Sequence, residues 1–111
     1  MQERQLVVIS EDVLNYLAEL SHLLFKNGYF DYFENALQYV DDIYDEIFAT
    51  IHIAKHIEVH VKHKDFGDYY FVIKANRRTA WHIYFIKKDN VYYITKILNN
   101  LLPTAKFLNK D

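Results

Sequence analysis

Asp68-Tyr69-Tyr70-Phe71-Val72-Ile73-Lys74-Ala75, Thr79-Ala80-Trp81-His82-Ile83-Tyr84-Phe85-Ile86-Lys87-Lys88 and Val91-Tyr92-Tyr93-Ile94-Thr95-Lys96-Ile97-Leu98-Asn99 decide the fold. Each run is rich in aromatic and β-branched residues, the types that fit a pleated, half-buried surface. Asn76-Arg77-Arg78 separates the first from the second, and Asp89-Asn90 separates the second from the third. Connections this short join antiparallel neighbours, so the spacing predicts a three-stranded meander.

Successive strand residues point to opposite faces. Thr79, Trp81, Ile83 and Phe85 therefore share one face, and the three large apolar side chains make it the core face. Arg78, Ala80, His82, Tyr84 and Ile86 share the other. Lys74 is expected to join them from the preceding strand. Whether Lys96 joins from the last strand depends on hairpin register, which the sequence leaves open.

Working towards the N-terminus, Gln5–Ile9 is a short β-rich run. Ser10 follows as an N-cap, with Glu11 and Asp12 at the positive end of the helix dipole. Val13, Leu17, Leu20 and Leu24 recur at helical spacing, and Gly28 is a natural stop, which predicts a helix over 11–27. Asp31 and Glu34 have capping-box spacing. Phe33, Leu37, Val40, Tyr44, Ile47 and Ile51 then form one stripe and predict a second helix over 32–52. Three or four residues between the two make an antiparallel helical hairpin. The stretch 52–64 reads either as a strand, from the alternation over His56–His63, or as a helix tail with an irregular connection. Thr104–Leu108 reads as a short, helical tail after Pro103. The order β-α-α-β-β-β predicts an α+β fold in which the helical hairpin covers one face of an antiparallel sheet and leaves the other face wet. The 111 residues make one domain.

Net charge is −2, but it is unevenly spread. Residues 1–50 carry ten carboxylates against Arg4 and Lys26, whereas residues 51–111 carry eleven bases against five acids and hold five of the six histidines. The second half is thus suited to an anionic partner such as RNA. The absence of cysteine excludes disulfides, thiolate metal sites and cysteine nucleophiles. No signal peptide opens the chain and no apolar run approaches a membrane span, so a cytoplasmic protein without membrane contact is expected.

Against the run Asp68–Arg78, then Thr79–Phe85, then Tyr92–Asn100, the chain resembles the C-terminal meander of RelE/ParE-type toxins, the HigB-like branch most of all. By residue pattern the resemblance covers about 68–108. It implies the toxin component of a type II toxin-antitoxin system: an endoribonuclease that cleaves mRNA at the ribosome with no metal or other cofactor. Carried over, the family's Arg at the start of the central strand falls on Arg78, with Arg77 beside it, and its Lys on the preceding strand falls on Lys74. Strand parity sets His82 and Tyr84 with Arg78 as the catalytic candidates, and Lys74, Arg77, Lys87 and Lys96 are the RNA-binding candidates. A cognate antitoxin would be its partner. The HigB-like pattern has a His and then a Tyr after the last strand, where this chain has Asn100 and Phe107, and the Arg that ends that strand in RelE-like members is missing. The same resemblance therefore also accommodates a non-catalytic module that binds DNA gyrase, as ParE-type members do, or binds an antitoxin alone.

The residues themselves suit that chemistry. An imidazole titrates near neutrality and can move a proton. Lys and Arg stabilise charge on a phosphorane. A tyrosine can stack on a base. The other candidates are weaker. His52 and His56 have the i, i+4 spacing of two helical ligands, but Ile53 stands where a His-Glu-x-x-His motif needs Glu, and no native metal is expected; with His60 and His63 they read instead as a pH-sensitive, RNA-facing or simply solvated rim. Asp41, Asp42, Asp45 and Glu46 read as a solvated helix face, with a basic partner segment as the functional alternative.

Overall fold

The computed structural model of the chain describes residues 6–75 and 79–99. The elements are strand β1 (Leu6–Ile9), helices α1 (Glu11–Lys26) and α2 (Phe33–Thr50), strand β2 (Ile57–Glu58), a 3₁₀ turn (Val61–His63), and strands β3 (Tyr69–Lys74), β4 (Ala80–Lys88) and β5 (Val91–Asn99). They form an α+β fold around one five-stranded sheet of order β1-β5-β4-β3-β2.

The expected meander is there. β3 pairs antiparallel with β4, and β4 with β5. The Asp89-Asn90 turn places Asp89 at φ 57°, a left-handed conformation that Asp tolerates. One feature corrects the expected all-antiparallel sheet. β1 runs parallel to β5, with Val7 beside Tyr92 and Ile9 beside Ile94. No tight turn links these two strands, so chain connectivity does not force them antiparallel; matching apolar faces sets their register. The ambiguous stretch 52–64 gives a two-residue edge strand, Ile57–Glu58 on β3, followed by the 3₁₀ turn.

α1 starts where Ser10 accepts a hydrogen bond from the Val13 amide (3.2 Å), and it buries Val13, Leu17, Leu20 and Leu24 as its periodicity predicts. The start of α2 is a correction. Its N-cap is Tyr32 and carries no side-chain capping bond, so the Asp31–Glu34 capping box does not form. Its buried stripe is also turned from the expected one. Ala36, Val40, Ile43 and Ile47 are buried, whereas Leu37 and Tyr44 stay exposed. The two readings share Val40, Ile47 and the fully buried Ile51, and differ by about one position around the helix.

Both helices lie on one face of the sheet. Their buried residues meet Phe71, Ile73, Trp81, Ile83, Phe85, Tyr92, Ile94 and Ile97 in one core. The Trp81 indole N–H donates to the Tyr39 hydroxyl (3.2 Å), which gives the largest buried ring a polar anchor on α2. Among the described residues, no helix is long and apolar enough to cross a membrane.

Candidate functional site

The face of the sheet away from the helices carries the candidate site. Register now settles what the sequence left open. Tyr84 on β4 stands opposite Tyr70 on β3 and Lys96 on β5. His82 stands opposite Val72 and Leu98, and Lys74 opposite Ala80. Lys96 therefore joins this face, and Lys74 lies diagonal to His82 on it.

Lys96 is brought into place by a β-bulge. Tyr84 pairs with Lys96 and Phe85 with Ile94, so Thr95 is the extra residue. The Thr95 hydroxyl donates to the Phe66 carbonyl, 2.5 Å away, with the Tyr84 carbonyl at 3.3 Å as second neighbour. This holds the segment that follows the 3₁₀ turn against the open face. The Asp68 amide also donates to the Phe85 carbonyl (3.0 Å).

Gly67 makes the close approach possible. Its φ is +155°, and an added Cβ would lie 2.9 Å from Thr95 Oγ1 and 3.0 Å from the Phe85 carbonyl oxygen. A Gly67→Ala substitution is expected to destabilise the fold by about 2 kcal/mol, since backbone atoms have to move. Urea unfolding checks this; an unchanged midpoint would show that the segment is not held as described.

The result is a continuous run of rings across the face. His82 lies 5.3 Å from Tyr70 between centroids, Tyr70 5.3 Å from Tyr84, Tyr84 5.3 Å from Phe66, and Phe66 5.1 Å from His63. His63 stacks on Phe66 at an interplanar angle of 13°. Lys96 Nζ sits 5.0 Å from the Phe66 centroid. Burial lowers the pKa of half-buried His82 below 6.5, which keeps its imidazole neutral near pH 7. Burial, and then the neighbouring Tyr70 phenol, raise the Tyr84 pKa, so its hydroxyl stays protonated.

Three expected site residues fall differently. Arg77 and Arg78 lie outside the described residues, as do Asn100 and the predicted tail Thr104–Leu108. Lys87 belongs to the other side of the sheet, with its Nζ 5.4 Å from the Tyr92 centroid, so it does not join Lys74 and Lys96. Its odd position along β4, the same parity as Phe85, carried that information.

Tyr70 and Phe66 are site residues that the strand-by-strand reading missed, and His63 enters that reading only as one of a rim of histidines. Tyr70 was legible, because it shares parity with Lys74. Phe66 and His63 were not, because only the bulge and the Thr95 bond bring them over the sheet.

His52, His56 and His60 lie off this run of rings, and His52 and His56 both pack on Tyr92. His56 Nε2 lies 2.6 Å from the Ile51 carbonyl, and its ring packs on Phe85. His60 Nδ1 accepts from the Lys62 amide (3.1 Å). His52 packs against Tyr92. Among the described residues they do not gather into a metal-binding group.

Fold and site together define an α+β domain whose sheet has one helix-covered face and one open face lined by rings and lysines. Comparison with known protein families, curated proteins and solved structures finds no match.

Proposed function

We propose that the open face of the sheet binds single-stranded RNA, and that the protein is a toxin-like endoribonuclease of the RelE/ParE type that works with protein groups alone. The observation that carries this reading is the run His82–Tyr70–Tyr84–Phe66–His63 with Lys96 against it and Lys74 on the same face. Aromatic platforms beside cations are how single strands are held, since every base has a stacking face and every linkage a negative charge. The element order supports the family reading: a strand, a helical hairpin and then a meander.

In this reading Lys74 and Lys96 hold phosphates and the rings take unstacked bases. His82, neutral because it is half-buried, accepts the 2′-hydroxyl proton as that oxygen attacks the adjacent phosphate; the P–O5′ bond breaks, a 2′,3′-cyclic phosphate is left, and the departing 5′-oxygen takes its proton from water. Tyr84, kept protonated, donates a hydrogen bond to the phosphoryl oxygen. The natural setting is mRNA at the ribosome, and the natural partner is an antitoxin that covers the face.

Induced expression with primer-extension mapping of cellular RNA tests the activity. The native chain is expected to arrest growth and cut RNA, and His82→Ala to abolish both. Cleavage is expected to rise with pH through an acid limb lying below pH 6.5, as His82 loses its proton. Undiminished cleavage by His82→Ala would remove this residue from the mechanism.

A second reading rests on one observation. The cross-strand neighbours of His82 are Val72 and Leu98, so no second acid or base stands directly opposite it. That favours a non-catalytic module using the same face, with DNA gyrase or an antitoxin as target. Growth arrest without RNA cleavage, retained in His82→Ala, is its signature.

A further inference from the structure

The outer side of the helical hairpin carries an open groove of about 410 Å³ between α1 and α2, on the far side of the molecule from the ring-lined face. Leu14 and Ala18 from α1 and Phe33, Leu37 and Tyr44 from α2 line it. Leu14 is 43% exposed, Leu37 41% and Tyr44 39%. Large apolar side chains gathered in one exposed groove mark an interaction surface more often than scattered ones do. Leu37 and Tyr44 were expected in the core; their exposure leaves the groove apolar.

Charge identifies the occupant. Residues 11–50 hold nine carboxylates against Lys26 alone. Asp41 lines the groove, and Glu34 and Asp45 follow the same flank of α2 at helical spacing. None of these three carboxylates has an ion-pair partner among the described residues. A second copy docked on this groove would bring a second set of these acids into the same interface, and like charges brought together oppose association. Nucleic acid and anionic lipid are repelled for the same reason.

We propose that the α1–α2 groove receives a basic amphipathic helix from a partner polypeptide, its apolar stripe in the groove and its lysines or arginines along the Glu34–Asp41–Asp45 flank. Such a helix anchors through residues at i, i+3 or i+4, and i+7, the usual helix-in-groove mode. The site is separate from the ring-lined face and does not depend on the RNA reading.

The probe is a labelled 18-residue helical peptide with leucines on one face and lysines flanking them, titrated by fluorescence anisotropy into the full chain. Its counterpart keeps the leucines and replaces every lysine by glutamate. The lysine peptide is expected to bind saturably and the glutamate peptide not to bind. Leu37→Ser should weaken binding about tenfold, as loss of a central apolar anchor does. Leu23→Ser, an equally exposed leucine on another side of α1, should leave it unchanged. Asp41→Lys/Asp45→Lys should transfer the preference to the glutamate peptide. Equal binding of both peptides, or equal affinity of Leu37→Ser and Leu23→Ser, would overturn the proposal. So would concentration-dependent dimerisation of the native chain that Leu37→Ser abolishes.

Discussion

Phe85→Ala is expected to cost about 3–5 kcal/mol of stability, a large part of what a chain this size possesses. Phe85 is fully buried. Its ring meets Phe71 from β3, Tyr92 from β5 and His56 from the connection after α2, at centroid distances of 6.0, 5.4 and 4.8 Å. Alanine leaves a cavity that strands on both sides cannot close together, because their spacing is fixed by ladder hydrogen bonds. Phe85 is also the residue where β4 changes register against β5. The cavity therefore opens beneath the bulge that presents Lys96. Thermal unfolding and the near-ultraviolet circular dichroism of the aromatic core measure the loss. A change below about 1 kcal/mol would show that the core is not centred on this residue.

The second large effect falls on RNA affinity rather than stability. Lys74→Gln/Lys96→Gln is expected to weaken single-stranded RNA binding by about 10- to 100-fold at low salt. Each lysine that neutralises a phosphate on a single strand releases about 0.7 of a counterion, so the slope of log affinity against log salt should fall by about 1.4. Glutamine keeps most of the side-chain stem, and Lys74 is exposed on the sheet, so the fold should persist. Lys87→Gln is the internal control. It is a lysine of the neighbouring strand segment but lies on the opposite side, against Tyr92. It should leave the affinity within about twofold and the slope within about 0.2, since it contacts no phosphate in this account. Equal losses from Lys87→Gln and from the paired substitution would mean that general charge, rather than the open face, holds the RNA.

Local patterns made much of this fold legible. Alternation along Thr79–Phe85 assigned the buried and open sides of β4 correctly, because a period of two allows only two answers and Trp81 chose one. Leu17, Leu20 and Leu24 did the same for α1. What escaped depends on distant contacts. The direction of β1 is set by a strand more than eighty residues away. The buried side of α2 escapes a reading by residue type, because Leu37 and Tyr44 look like core residues whereas the side that is buried carries Ala36, Val40, Ile43 and Ile47. For the site, His82, Tyr84 and Lys74 followed from parity alone. Lys96 needed the bulge at Thr95, which adds one residue to β5 and fixes which parity faces outwards. Phe66 and His63 needed the bond from Thr95 across to the Phe66 carbonyl. A sequence carries such a bond only as two unremarkable residues twenty-nine positions apart.

Titrating a single-stranded RNA dodecamer into isotopically labelled protein, and following backbone amide shifts, tests the central claim most directly. Saturable shifts are expected at Phe66, Tyr70, His82, Tyr84 and Lys96, with α1 and α2 unmoved. Shifts gathered on the helices, or none at saturating RNA in low salt, would contradict it.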